Sequence, residues 1–96
     1  MSASDSTARA TATFNADQIK EKLNKLHIKA YTHRATLVMY QGIKENMVSK
    51  GITAGMEKVE VVITANTNIT KMLEEFIKET REELVAANEL LSQLSE

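Results

Sequence analysis

The fold class is decided by residues 73–94, which read LEEFIKETREELVAANELLSQL. A stripe with steps of three or four positions runs there from Leu73 to Leu94; all its members except Thr80 are apolar, and charged or polar residues fill most of the positions between them. This spacing is typical of an α-helix that packs along one apolar stripe. The same spacing continues toward the N-terminus as far as Ile52, and it predicts one long helix over residues 53–95.

A second stripe with the same spacing runs from Ile19 to Tyr40. Asn15 precedes this stripe and Gln18 follows three residues later, an arrangement that resembles a helix-capping box. None of the 96 residues is proline, which would interrupt a helix by removing a hydrogen-bond donor. We therefore predict a first helix over residues 16–50.

Gly51 lies between the two predicted helices, where a glycine can adopt the left-handed conformation that ends a helix. A short turn at this point would place the helices side by side in opposite directions. In the alignment that we predict, Ile19 faces Leu84 and Ala30 faces Leu73. The sequence therefore predicts an all-α fold, a long antiparallel helical hairpin.

The distribution of charge also favours the hairpin. Residues 1–58 contain nine Lys and Arg against five Asp and Glu, whereas residues 59–96 contain three against eight. Each exposed ion pair between the helices would add only ~0–1 kcal/mol to the stability. Together such pairs favour the antiparallel arrangement over its alternatives.

One segment allows a different interpretation. Eight of the twelve residues 59–70 are β-branched, which is typical of a strand. The alternative fold is an α-β-β-α chain with a short hairpin at about residues 36–41 and 58–64. We favour the helix because the stripe spacing continues unchanged through this segment.

The N-terminal residues have a different composition from the rest. Ten of the twelve residues 2–13 are Ser, Ala or Thr, and such a segment offers little to pack in a core. We therefore predict a disordered arm over residues 1–13 and a single helical domain over residues 14–96.

A second apolar stripe lies beside the first on each predicted helix, and a lone hairpin can bury only one stripe per helix. The last residues of the second helix also extend beyond the predicted start of the first. Self-association into a four-helix bundle, as a homodimer, would cover both features. The residues predicted to form this interface are Tyr31, Val38, Val62, Ile69, Met72, Phe76, Leu90, Leu91 and Leu94.

The residues needed for catalysis are scarce. The chain has no Cys, and His27 and His33 are six residues apart, which does not match a metal-binding pair on one helix face. No glycine-rich phosphate loop occurs. We therefore predict no enzymatic activity, no catalytic or metal site and no cofactor.

Two polar residues occupy predicted seam positions. His33 would lie near Thr70, either as a hydrogen-bonded histidine or as a pH sensor that loosens the bundle when it is protonated. Asn66 is either solvated or a device that fixes the register by meeting a partner amide. The sequence alone leaves both alternatives open.

These features predict a helical interaction module, which could be a structural subunit, an adaptor or a chaperone-like protein. The expected partner is a second copy or another helical protein. Lys22, Lys25 and Lys29 lack the aromatic and arginine neighbours typical of a nucleic-acid site, and no apolar run approaches the length of a membrane span. We therefore expect neither nucleic acid nor a membrane as a partner.

The alternative function is that of a small secreted bacterial hairpin, either an effector or a secretion-system component. In length, hairpin design and lack of cysteine, the chain is similar to a family of secreted bacterial hairpins with a Trp-x-Gly turn. The turn here reads Lys50-Gly51-Ile52, without the tryptophan. The absence of cysteine fits a cytoplasmic location, and secretion without a cleaved N-terminal signal is the alternative.

Overall fold

The computed structural model describes the backbone of residues 3–95 and the side-chain environments of residues 6–94. Helix α1 spans Ala3–Ser49 and helix α2 spans Met56–Ser95, and together they form the predicted antiparallel helical hairpin. No residue from 3 to 95 belongs to a β-strand. The α-β-β-α alternative is therefore wrong, because the segments proposed as strands lie within α1 and α2.

The β-branched segment is helical because its residues keep the spacing of one continuous apolar stripe. This stripe, together with its counterpart on α1, is called the seam, and all of its members are buried or half-buried. The favourable packing along the seam outweighs the weak helix propensity of the β-branched residues. The seam residues are Ala12, Ala16, Ile19, Leu23, Leu26, Ala30, His33, Leu37, Tyr40, Lys44 and Met47 on α1, and Met56, Val59, Ile63, Asn66, Thr70, Leu73, Ile77, Thr80, Leu84, Ala87, Leu91 and Leu94 on α2.

The start of α1 differs from the prediction. The helix passes through Asn15 without interruption, and residues 3–13 are helical rather than a disordered arm. Phe14, which precedes Asn15, is 66% exposed. Ala12 is buried because it continues the seam, and alanine also has the highest intrinsic helix propensity. Residues 1–2 of the predicted arm lie outside the described part.

The turn after α1 confirms the prediction for Gly51, which has φ 67°. The amide of Ile52 donates to the carbonyl of Met47 at 2.9 Å, and the amide of Gly51 donates to the carbonyl of Val48 at 3.1 Å. These are the two hydrogen bonds of a Schellman motif, which satisfies carbonyl groups at a helix end. Gly55 also has a positive φ, 85°, and α2 begins directly after it, three residues later than predicted.

The chain divides into two compact units of different composition. Within the described residues, unit 1 consists of residues 3–27 and 76–95, and unit 2 consists of Ile28–Glu75. Each unit contains one segment of α1 and one segment of α2 in antiparallel arrangement. That residues 14–96 form a single domain stays a prediction.

Unit 1 has a small-residue core. Ala16, Ile19 and Ala87 form a buried cluster, and Leu84 packs against it. Ile19 and Leu84 thus belong to the same layer, as the predicted alignment requires. The alanines allow the two backbones to approach closely, since they carry no side chain beyond Cβ.

Unit 2 buries fewer side chains. Ala30 is fully buried, and Thr70 and Leu73 are 7% and 8% exposed. The other seam residues of unit 2 are only half-buried. These include Lys44, whose Nζ lies 3.6 Å from Glu60 Oε1.

Candidate interaction surface

Two contacts in unit 1 show which residues of α1 and α2 share a side. Lys22 Nζ lies 3.8 Å from Glu83 Oε1, and each of these residues comes one position before a seam residue. Arg81 Nη2 donates to His27 Nε2 at 3.4 Å, and each of these comes one position after a seam residue. In antiparallel right-handed helices, residues that precede seam positions therefore lie on one side, called side A, and residues that follow them lie on the opposite side, called side B.

The same geometry brings several apolar side chains together on side A of unit 2, a side that also holds Lys29 and Lys58. Its α1 segment contributes Met39 and Ile43, which are 56% and 39% exposed, and its α2 segment contributes Met72, which is 57% exposed. Val62 and Ile69 are half-buried beside them. None of these residues carries a charge. The surface, called the apolar face, consists of Met39, Ile43, Val62, Ala65, Ile69 and Met72.

Side B of unit 2 is more polar. Arg34, Glu60 and Glu74 each follow a seam residue and therefore lie on this side. Tyr31 and Val38 lie there as well, 70% and 68% exposed. The apolar residues of side B are thus separated by charged side chains, whereas those of side A are contiguous.

The structure separates the predicted interface residues into three groups. Val62, Ile69 and Met72 come together on side A of unit 2, whereas Tyr31 and Val38 lie on side B. On side A of unit 1, Phe76 is 47% and Leu90 is 50% exposed. The remaining two, Leu91 and Leu94, are half-buried seam residues of unit 1.

The overhang argument behind the prediction for Leu91 and Leu94 is wrong. Because α1 begins at Ala3, the end of α2 has a helical neighbour. Arg9 Nη2 donates to the backbone carbonyl of Leu94 at 3.4 Å, and Ala12 is 8% exposed. These contacts cover the C-terminal part of α2 within unit 1.

Met39 and Ile43 were missed by the sequence prediction. The signal that identifies them is their position one residue before Tyr40 and Lys44 on the seam. They can be assigned to the same side as Val62 only when the antiparallel arrangement of α1 and α2 in unit 2 is known. A stripe traced along one helix does not contain that information.

A polar pair joins the two helices in unit 2. His33 Nδ1 lies 2.9 Å from Asn66 Oδ1, and Asn66 Nδ2 donates to the carbonyl of Val62 at 2.8 Å. Because Nδ2 is the donor group of the amide, Oδ1 is the acceptor, and His33 Nδ1 must carry the proton. Asn66 therefore meets an imidazole rather than a second amide.

The proton on His33 Nδ1 also bears on the hypothesis that His33 is a pH sensor. Protonation of a histidine whose Nδ1 already carries a proton adds the new proton at Nε2. The Nδ1–H group, which donates to Asn66, stays in place. The hydrogen bond between the helices is therefore compatible with both charge states of His33.

The described residues include two histidines and a number of carboxylates. Among them, no group of three or more His, Cys, Asp or Glu residues is placed to hold a metal ion. His27 lies in unit 1 and His33 lies in unit 2, each with its own hydrogen-bond partner. Neither helix, over the part described, has an apolar stretch sufficient to span a membrane.

The comparisons with known proteins provide no function for this chain. No known protein family, curated protein or solved structure matches this chain. The function must therefore be argued from the exposed chemistry of the hairpin.

Proposed function

We propose that the chain is a non-enzymatic helical interaction module, such as a structural subunit, an adaptor or a chaperone-like protein. The apolar face is its binding surface, and a second copy of the chain covers this face in an antiparallel four-helix bundle. The observation that supports the proposal is the exposure of Met39 and Met72, more than half in both cases. Both belong to the apolar face, whose six residues carry no charge; Lys29 and Lys58, which also precede seam residues, lie on the same side of unit 2 outside this face.

The small size of the buried core also supports association. The buried apolar residues of the described chain are four alanines, two isoleucines and one leucine, and no large side chain is fully buried. We expect a 96-residue chain with so few buried apolar side chains to be only marginally stable by itself. Covering a methionine or isoleucine of the apolar face contributes roughly 1.5–3 kcal/mol when the side chain becomes fully buried. Association is thus the most direct way for this chain to gain stability.

A second copy fits the face electrostatically. Unit 2 contains six Lys and Arg against five Asp and Glu, so two copies of unit 2 repel each other only weakly. The face itself is uncharged, and it has the spacing of a helical surface that can pack against an equivalent helical surface. We propose a cytoplasmic location for this homodimer, because the chain lacks cysteine.

Light scattering combined with size-exclusion chromatography tests the proposal with two adjacent substitutions. Met39→Asp places a charge on the apolar face, whereas Val38→Asp places the same charge on side B of the same helix. Both side chains are exposed, by 56% and 68%, so neither substitution disturbs a buried core. We expect a dimeric wild type, a dimeric Val38→Asp variant, and a Met39→Asp variant that dissociates at about tenfold higher concentration or more.

Three results would contradict the proposal. A wild type that stays monomeric at high micromolar concentration would exclude the second copy as the partner. Equal effects of both substitutions would show that the apolar face has no special role. A greater effect of Val38→Asp would instead place the interface on side B, with Tyr31.

A further inference from the structure

We propose that the hydrogen bond between His33 and Asn66 selects the register of α1 against α2 in unit 2. The two side chains lie 2.9 Å apart, from His33 Nδ1 to Asn66 Oδ1, and both are half-buried at seam positions. Most of their neighbours along the seam of unit 2 are apolar. The pair is therefore the most directional contact between the two helices in that unit.

An apolar seam by itself discriminates poorly between registers. Leucine, isoleucine, valine and methionine recur on α2 at the same spacing, so sliding one helix by seven residues again places apolar side chains opposite one another. A polar pair removes this degeneracy. After such a slide, His33 would face Val59 or Leu73, and neither side chain can accept its hydrogen bond.

The bonding of Asn66 makes the pair selective. Its Nδ2 group donates a hydrogen bond to the backbone carbonyl of Val62 at 2.8 Å, and this bond holds the amide in one orientation. The Oδ1 atom is left to accept a hydrogen bond from α1, and His33 supplies the donor. In the shifted register that brings Leu26 opposite Asn66, the half-buried Oδ1 would lose its donor on α1, and removing one partner of a polar pair costs stability.

Thr70 provides a matched control for this pair. Its side chain is 7% exposed and, within the described residues, its Oγ1 has no hydrogen-bond partner. Thr70 lies on the same seam, one turn from Asn66. Thr70→Val removes a buried polar group without touching the bond between His33 and Asn66.

The test compares the His33→Leu/Asn66→Leu double variant with Thr70→Val in the full chain. Replacing both partners of a polar pair by apolar residues removes the penalty for burying them, so we expect the thermal midpoint of the double variant to match or exceed that of the wild type. Amide signals of residues 28–75 in a proton–nitrogen NMR spectrum should nevertheless double or broaden, because more than one register becomes populated. Thr70→Val should keep a single set of sharp signals.

The single variants add an independent measurement. His33→Leu leaves Asn66 Oδ1 without its donor, so its thermal midpoint should fall below those of both the wild type and the double variant. A double variant with one sharp set of signals would overturn the proposed role in register selection. A double variant that fails to fold would also overturn it, since the proposal requires an apolar pair to be tolerated at these positions.

Discussion

Unit 1 and unit 2 bury their seams to different extents. Of the nine buried side chains in the described chain, six lie in unit 1, which has alanine at three of these positions. Unit 2 buries three, and its seam includes His33, Asn66 and Lys44 at half-buried positions. The comparison teaches that small seam residues give a tightly covered helix pair, whereas long and polar seam residues leave the pair more open to solvent.

The two units also differ in the charge and polarity of their side A. Side A of unit 1 carries the ion pair between Lys22 and Glu83, and each of these side chains is more than half exposed. Side A of unit 2 carries the apolar face instead. The unit with fewer buried side chains therefore also carries the apolar face, which is the arrangement expected of an association surface.

The largest effect should come from truncating the core of unit 1. Ile19 is 5% exposed in its alanine cluster, so Ile19→Ala should lower the free energy of unfolding by about 2–3 kcal/mol. Leu37, a half-buried seam residue of unit 2, should lose only about 1–2 kcal/mol on the same truncation. Urea unfolding followed by circular dichroism, at one protein concentration, measures both. Equal losses would show that the two units are packed equally well.

The N-terminal part of α1 provides the next test of the comparison. Ala12 is buried and Ala10 is exposed, although both lie in the segment that the sequence predicted to be disordered. Ala12→Asp should cost about 1–3 kcal/mol because it buries a charge, whereas Ala10→Asp should be nearly neutral. Amide hydrogen exchange of residues 6–16 measures the effect. Similar exchange in both variants would mean that this segment gains no stability from packing in unit 1.

The smallest effects should occur at two glycines of unit 2. Gly42 lies inside α1, and a Cβ added there would meet no other atom within 4 Å, so Gly42→Ala should stabilise the chain by about 0.5–1 kcal/mol. Gly51→Ala should destabilise it by about 1–2 kcal/mol, because φ 67° is strained for alanine. The midpoint temperature of thermal unfolding should therefore rise for Gly42→Ala and fall for Gly51→Ala. Destabilisation by Gly42→Ala would reveal a close contact at this position that the hairpin does not show.

Most of the fold could be predicted from the sequence because the seam has a clear period. The predicted stripe on α2, from Met56 to Leu94, contains only buried or half-buried residues. The start of α1 could not be predicted from local signals, because the capping pattern at Asn15 is one that a continuous helix can also contain. Ala12 and Ala16 do continue the period of the seam, but alanine is too weakly apolar for a stripe search to detect.

The candidate surface could be predicted only in part. Val62, Ile69 and Met72 were identified because they form a stripe along a single helix. Tyr31 and Val38 were assigned to the same interface, yet they lie on side B. The sequence could not show this difference of side, because a stripe on one helix gives no indication of which side it shares with the other helix.

The sequence by itself determined that the chain has two long helices, that a turn lies at Gly51, and which residues form most of the seam. These follow from helical period and backbone conformation, which are local properties of the chain. Only the tertiary structure decided that Met39 and Ile43 join Val62 on one side of unit 2, and that Asn66 meets His33. Contacts of this kind depend on the direction and alignment of two segments that are distant in the chain, and local sequence patterns contain neither.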